Sequence, residues 1–473
     1  MFRTTELNIM LTVFYYAVAL TFCAFFALLK WNSLRYSRKG MPPGSLGWPF
    51  VGETLKFLTQ GPDFMKESRS RYGNLFKTHA LGCPIVVSMD PDVNRYILLN
   101  EAKGLVPGYP DSMRKILGTN IAEVHGAIHK RIRGSLLSLI GPIAVKDRLL
   151  PEVDEFMRSY LDNWGGKVID LQEKTVEMAF FISMKAVVEN EPNSFVESFK
   201  ATFDSMALGT ISLPIKIPGT QYYRGLKARE KVVTMLRELL AKRRASSATH
   251  DDILDHLMRN EDGKHKLDDE EIIEQIITIL YSGYETVSTT TMMAIKYLCD
   301  NPSVLQAIRD EHFAIQQKKM PEERISWDDY KNMSLTRAVI LETMRLASVV
   351  AGVMRRTTTN DIELNGFIIP KGWRVYVYTR ETNFDPFIYE EPFTFNPWRW
   401  VEKKDLESHN HNMLFGAGGR VCPGKEWGML KISLFLHYFV TRYRWEEAEG
   451  NKQLMKFPRV LAPEGLHIRI TNY

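Results

Sequence analysis

The chain has 473 residues, 45% of them apolar and 25% charged, with a formal net charge of +5. That length and balance allow a large core and exclude disorder. The mild charge, without a basic stripe or a zinc spacing, excludes a nucleic-acid binder, and four scattered cysteines (Cys23, Cys83, Cys299, Cys422) exclude a disulfide framework or a CxxC metal site.

Residues 7–29, LNIMLTVFYYAVALTFCAFFALL, carry no charge. About 20 helical residues cross a bilayer core, so the run predicts a single transmembrane anchor. It is too long for a cleaved signal peptide, and no small-residue cleavage site follows it. Lys30, Arg35, Arg38 and Lys39 follow and only Arg3 precedes, which places the C-terminal bulk in the cytosol. MPPGSLGWPFVGE, 41–53, cannot continue a helix. The predicted organisation is an anchor with its flank over 1–30, a basic and proline-rich linker over 31–53, and one large catalytic domain over 54–473. No second uncharged run of spanning length and no internal repeat occurs in the sequence.

Helical patterns dominate the body. His129 and Arg133 of HKRIRG lie four apart on a predicted helix. The strongest pattern begins at LDDEEIIEQ, where Asp268 and Glu271 form a capping box. Ile272, Ile273, Ile276, Ile277 and Leu280 carry the helical period to Asn301-Pro302, giving a helix of about 50 Å. Its middle, SGYETVSTTT, is poor helix sequence. Further helices are predicted over 303–318 and 335–347, the second holding Glu342 and Arg345 on one face. Beyond 352 the residues alternate; Asn365-Gly366 signals a hairpin within 362–379, and 457–470 reads as another strand pair. The predicted fold class is α+β, mainly helical with a smaller sheet region.

FGAGGRVCPG, 415–424, surrounds Cys422 with four glycines and one arginine. Glycines permit left-handed turns and the close approach of a flat object. Amides in such a loop, and the helix N-terminus that follows Gly424, favour a thiolate. A buried structural cysteine is the plainer reading of any one cysteine. Here five positions of one pattern are present together: Phe415, Gly418, Arg420, Cys422 and Gly424.

With that motif the chain resembles the haem-thiolate monooxygenases, the cytochrome P-450 family. The resemblance covers essentially the whole chain and implies that family's fold behind the anchor. It implies haem b as cofactor, with Cys422 as axial iron ligand, Arg420 at a haem propionate, and Phe415, Gly418 and Gly424 shaping the loop. By the same resemblance His129 and Arg133 touch propionate, histidine standing where tryptophan is usual, and Arg355 adds a contact that its neighbour Arg356 could be mistaken for. Arg399 of FNPWRW joins Glu342 and Arg345 in a buried structural cluster. Ser282-Gly283-Tyr284-Glu285-Thr286 matches the family's oxygen-side pattern apart from serine at the first position. It implies catalytic roles for Gly283, where oxygen must fit against the helix, Glu285 as proton relay and Thr286 as holder of a water. A threonine bonding back onto its own helix is the alternative.

LYSGYETVSTT, GFIIPKGWRVYVYTRETNFDP, FNPWRW and LHYFVTRYRWEE are most similar to the brassinosteroid C-6 oxidases. That implies a hydrophobic sterol substrate oxidised at carbon 6 to the alcohol and then the ketone, in the endoplasmic reticulum membrane. Another plant steroid or triterpenoid hydroxylase is the alternative. Substrate-lining segments are expected at 105–124, 200–222, near Ile277 and Tyr281, at Ser348, Val349 and Val350, and at 461–466. No flavin or nicotinamide module occurs in the sequence, so NADPH-derived electrons arrive through a separate reductase, for which Lys130, Arg131, Lys425 and Lys431 are a candidate basic surface. An oxygen-independent haem-thiolate isomerase or lyase, or a haem sensor, would need neither Glu285 nor Thr286.

Overall fold

The computed structural model describes residues 2–473 apart from 190, 249, 260–265, 321 and 359, with the side chains of 2–13 and 102 also left aside. The helix expected from the isoleucine spacing runs Asp269–Asp300. Asp268 accepts from the Glu271 amide at 2.8 Å and the Glu271 carboxylate accepts in return from the Asp268 amide at 3.1 Å. Such a cap stabilises a helix start by about 1 kcal/mol. Asn301-Pro302 ends it, because Pro302 opens the next helix, Pro302–Gln316. Isoleucines 272, 273, 276, 277 and 279 are all buried, so this long helix lies inside the molecule rather than on it.

It packs against Leu171–Val187, Ser334–Ala347 and Lys425–Arg442. Lys425–Arg442 is itself buried on nearly every face from Met429 to Thr441. These helices and their neighbours share one apolar core built around the long helix.

The five-stranded sheet packs in two further apolar clusters, apart from that core. Strands β1 (Leu75–Ala80), β2 (Cys83–Ser88), β3 (Leu105–Pro107), β5 (Gly352–Thr357) and β8 (Arg374–Tyr378) form one sheet in the order β1-β2-β8-β5-β3. Only β2 and β8 run parallel. Strands β6 (Ile362–Leu364) and β7 (Phe367–Ile369) are the expected hairpin, with Asn365 at φ 49° and Gly366 at φ 77°, the left-handed pair a tight hairpin turn requires.

The end of the chain departs from expectation. Only β10 (His467–Asn472) is a strand within it, pairing with β4 (Lys167–Asp170) and β9 (Tyr443–Glu447). Pro458 and Pro463 remove the ladder donors that a strand across 457–466 would need. β1 and β2 were not anticipated, because Gly82 and Cys83 gave no strong turn signal.

At the N-terminus Phe2–Leu29 is helical, and Phe14, Tyr15, Tyr16, Leu20 and Phe22 stand exposed on it. Among the described residues no helix is long and apolar enough to cross a membrane.

Candidate active site

The Cys422 loop is shaped by backbone constraints. Gly416 and Gly418 take φ of 79° and 67°, and a Cβ on Gly418 would meet the Leu98 carbonyl at 2.9 Å. The Cys422 amide donates to Phe415 O at 2.9 Å, closing the loop, and Gly424 leads into Lys425–Arg442. Cys422 is hemmed in by neighbouring groups, and its side chain is exposed to a cavity of about 270 Å³. Burial pushes its thiol up, against the pull of the Gly424 amide, Arg133 and Lys425. The loop's donors favour the thiolate and burial opposes it; a metal bound at the sulfur would displace the proton. Phe415 lines the same cavity, with the Lys425 ammonium 5.1 Å from its ring centre.

The opposite wall is the long helix, through Ser282, Gly283, Thr286, Val287 and Thr290. The Thr286 hydroxyl donates to Ser282 O at 2.8 Å, the back-bonded arrangement, and its lone pairs stay open to the cavity. A methyl on Gly283 would meet Ser183 Oγ at 3.5 Å and Lys431 Nζ at 3.8 Å, which is ordinary contact. Packing within the chain thus leaves space for alanine there.

Glu285 faces the other way. It pairs with Arg459 and lines a second, polar cavity of about 410 Å³ with Lys200, Asp204, Tyr284 and Ser288. Tyr284 donates to Asp204 at 2.7 Å. Adjacent residues of one helix therefore look into separate cavities, one polar and one holding the cysteine. Arg459 escaped the sequence reading because it sits in an irregular segment with no spacing that links it to Glu285.

His129, Arg133, Arg355 and Arg420 converge on a recess of about 140 Å³ that shares Ile121, Ala122 and Pro423 with the cysteine cavity. Burial pushes His129 down to about 4, with Arg420 adding to it, so this histidine is neutral. Burial likewise lowers Arg133 and Arg355. Arg355 donates to its neighbour's carbonyl, Met354 O, at 3.2 Å and interacts with the Tyr109 hydroxyl, and its Nε has no acceptor among the described residues. Strand alternation decides between the paired arginines: Arg355 is buried toward the recess and Arg356 is not among its lining. Arg420 pairs with Glu101, which the sequence reading missed.

An apolar slot walled by one cysteine and a helix, next to a recess lined by three arginines, one with an unpartnered buried Nε, fits a flat, carboxylate-bearing metal ring. Cys422 would hold the iron, and Arg133 and Arg355 would hold the rim.

Glu342, Arg345 and Arg399 form the expected buried cluster. Glu342 accepts from Arg345 at 2.8 and 2.9 Å and from Arg399 at 3.1 Å. Two other expectations change. Lys431 is fully buried, donates to Ser183 Oγ at 2.8 Å and stands 3.3 Å from the Trp427 ring centre, while Arg131 pairs with Glu271 and Lys425 with Glu407. Lys431 therefore belongs to no exposed basic surface, because it sits on the inward face of its helix. Of the expected substrate segments, Ile121 and Ala122 line the cysteine cavity, whereas Leu461 and Ala462 line the polar one and Ile277 is core. Tyr281 reaches Thr210 at 3.0 Å, tying the long helix to the 200–222 segment.

The family model described as Cytochrome P450 matches residues 42–469. The chain is 59% identical to Cytochrome P450 85A of Phaseolus vulgaris, over 96% of this chain and 97% of that one. It is 57% identical to Cytochrome P450 85A1 of Arabidopsis thaliana, over 94% and 96%. Among solved structures, a retinoic acid bound cyanobacterial CYP120A1 superposes with a TM-score of 0.83 at 26% identity, covering 92% of this chain and all of that one.

Proposed function

The chain belongs to the cytochrome P450 family, and we propose that it is a haem-thiolate monooxygenase that oxidises carbon 6 of a 6-deoxo brassinosteroid to the alcohol and then to the ketone. The observation that carries the monooxygenase reading is the single cavity walled by Cys422 on one side and by Gly283 and Thr286 on the other. The substrate class rests on the resemblance to the C-6 oxidases and on near-full-length identity to the Cytochrome P450 85A relatives.

Haem, when bound, would supply oxygen activation, and Cys422 as its thiolate ligand would favour cleavage of the O–O bond. The chain supplies position and protons. Each hydroxylation consumes O2, two electrons from NADPH through a reductase and two protons, and releases one water. Glu285 takes protons from the polar cavity and Thr286 presents its hydroxyl on the other side of the same helix. A second hydroxylation at the same carbon gives a geminal diol, which loses water to leave the ketone. An isomerase or sensor would need no such divided proton arrangement.

Membrane attachment through the N-terminal helix belongs to the same reading. Its support is the uncharged run 7–29, the exposed Phe14, Tyr15, Tyr16 and Leu20, and the basic residues that follow. That reading places the catalytic body on the cytosolic face of the endoplasmic reticulum, where a membrane-bound reductase delivers electrons.

The test is sequential. A reduced, CO-bound spectrum with the Soret band of thiolate-ligated haem is expected, and an imidazole-type band rejects Cys422. Full-length protein with reductase, NADPH and a 6-deoxo brassinosteroid should then give first the 6-hydroxy and later the 6-keto product by mass spectrometry. Oxygen inserted only at another carbon rejects the C-6 assignment.

A further inference from the structure

Lys425 is a charged residue in the wall of the cysteine cavity with no part in the proton chemistry. It opens the helix Lys425–Arg442, and its ammonium stands 5.1 Å from the centre of the Phe415 ring. Phe415 lines the same cavity, and its carbonyl accepts from the Cys422 amide at 2.9 Å. The first position of a helix is unfavourable for a cation, because the macrodipole is already positive there. A lysine at that place calls for a counter-ion.

Glu407 supplies it, accepting from Lys425 Nζ at 2.8 Å. The same carboxylate accepts from Arg337 Nη2 at 2.7 Å and Nε at 3.2 Å. Glu407 therefore ties the helix Ser334–Ala347 to the start of Lys425–Arg442 and holds the ammonium against Phe415. Burial opposes its charge, but the hydrogen bonds from Arg337 and Lys425 keep Glu407 below the usual carboxylate range. The side chains of Lys425 and Glu407 are 28% and 30% exposed, so salt screens their field without abolishing it.

We infer that the Lys425–Glu407 pair sets the electrostatic field at the axial sulfur: Lys425, held beside Phe415, makes Cys422 a weaker donor, and Glu407 offsets that charge and fixes its place. Both are positioning residues that act through Cys422. A cation beside the sulfur draws electron density from it and favours the reduced, more electron-rich state of a metal bound there. This rests on the haem-thiolate reading and gives Lys425 an inward role in place of the docking role expected from its charge.

The experiment uses full-length, haem-loaded protein at low ionic strength. The ferric–ferrous midpoint potential is titrated optically, and the C–O stretch of the ferrous CO complex is read by infrared. Lys425→Met should lower both, because a stronger donor passes more density through iron to CO. Glu407→Gln keeps the shape and an accepting oxygen but loses the charge, so it should raise both. The double variant should return toward wild type, and Lys425→Arg, which keeps the charge, should stay near it. Added salt should shrink the two single shifts. If Lys425→Met takes up no haem, Lys425→Gln should show the same downward shift. A loosened loop would move the two single variants in the same direction. Shifts of one sign, no shift in either, or Lys425→Arg displaced as far as Lys425→Met therefore overturns the inference. A wild-type CO spectrum of imidazole type would instead overturn the haem-thiolate reading beneath it.

Discussion

Replacing Glu342 with glutamine should cost more stability than almost any other single substitution that preserves side-chain volume. The carboxylate is fully buried and accepts five hydrogen bonds: two from Arg345, and one each from Arg399, Trp400 Nε1 at 2.9 Å and the Asn396 amide at 3.0 Å. Glutamine turns one accepting oxygen into a donor, which then faces donors. It also strands two guanidinium charges, on Arg345 with 0% exposure and Arg399 with 5%. Losing one partner of a buried ion pair costs about 3–5 kcal/mol. The lost hydrogen bonds lie within that figure rather than adding to it, because the carbonyls of Asn383 and Pro392, each 2.6 Å from Arg345, still hold one arm of it. Against a typical net stability of about 5–15 kcal/mol this is a large fraction. Urea unfolding followed by far-UV circular dichroism measures it, with haem retention as a second readout. A loss below about 1 kcal/mol would show that the cluster is solvated or rearranges freely, and would refute the argument.

Further outcomes follow from the same geometry. Thr286→Ala removes the hydroxyl that faces the cysteine cavity without touching the core, so NADPH consumption should continue while steroid product falls about tenfold or more and peroxide rises; tight coupling in the variant would speak against a proton role. Arg459→Gln unlatches Glu285, so it should change kcat and its solvent isotope effect while KM stays near wild type; a change in KM alone would place Arg459 with substrate binding instead. Lys431→Met exchanges a buried amine with one polar partner for an apolar chain of similar length. Unfolding free energy should move by no more than about 1 kcal/mol and the rate of reduction by the reductase should not change, whereas slowed reduction would restore a docking role. His129 and His437 are pushed down from 6.5 to about 4 and about 3, chiefly by burial. Depressed folded-state values mean the unfolded chain binds these protons first, so stability is full above pH 6.5 and declines as pH falls toward 4. His437→Gln should flatten that decline in unfolding experiments across the window, and an unchanged slope would remove His437 from the account.

The sequence alone determined the elements whose signal is local. The long helix was readable from its isoleucine spacing, its capping box and the proline beyond its end, because each acts within a few residues. The hairpin at Asn365-Gly366 was readable for the same reason, since only such residues adopt the backbone that turn needs. The cysteine loop was legible because close approach and left-handed turns demand glycine at fixed positions. Tertiary structure decided everything that depends on which way a side chain faces and on what lies opposite. Lys431 looked like a surface charge until its helix proved buried on nearly every face. Glu285 and Thr286 looked like one relay until the helix turned them into separate cavities. Arg420 stood in its motif with no partner in view until the fold brought Glu101, more than three hundred residues earlier, beside it. No spacing rule encodes such meetings, because pairing across that distance follows from the packing of the whole chain and not from the order of its residues.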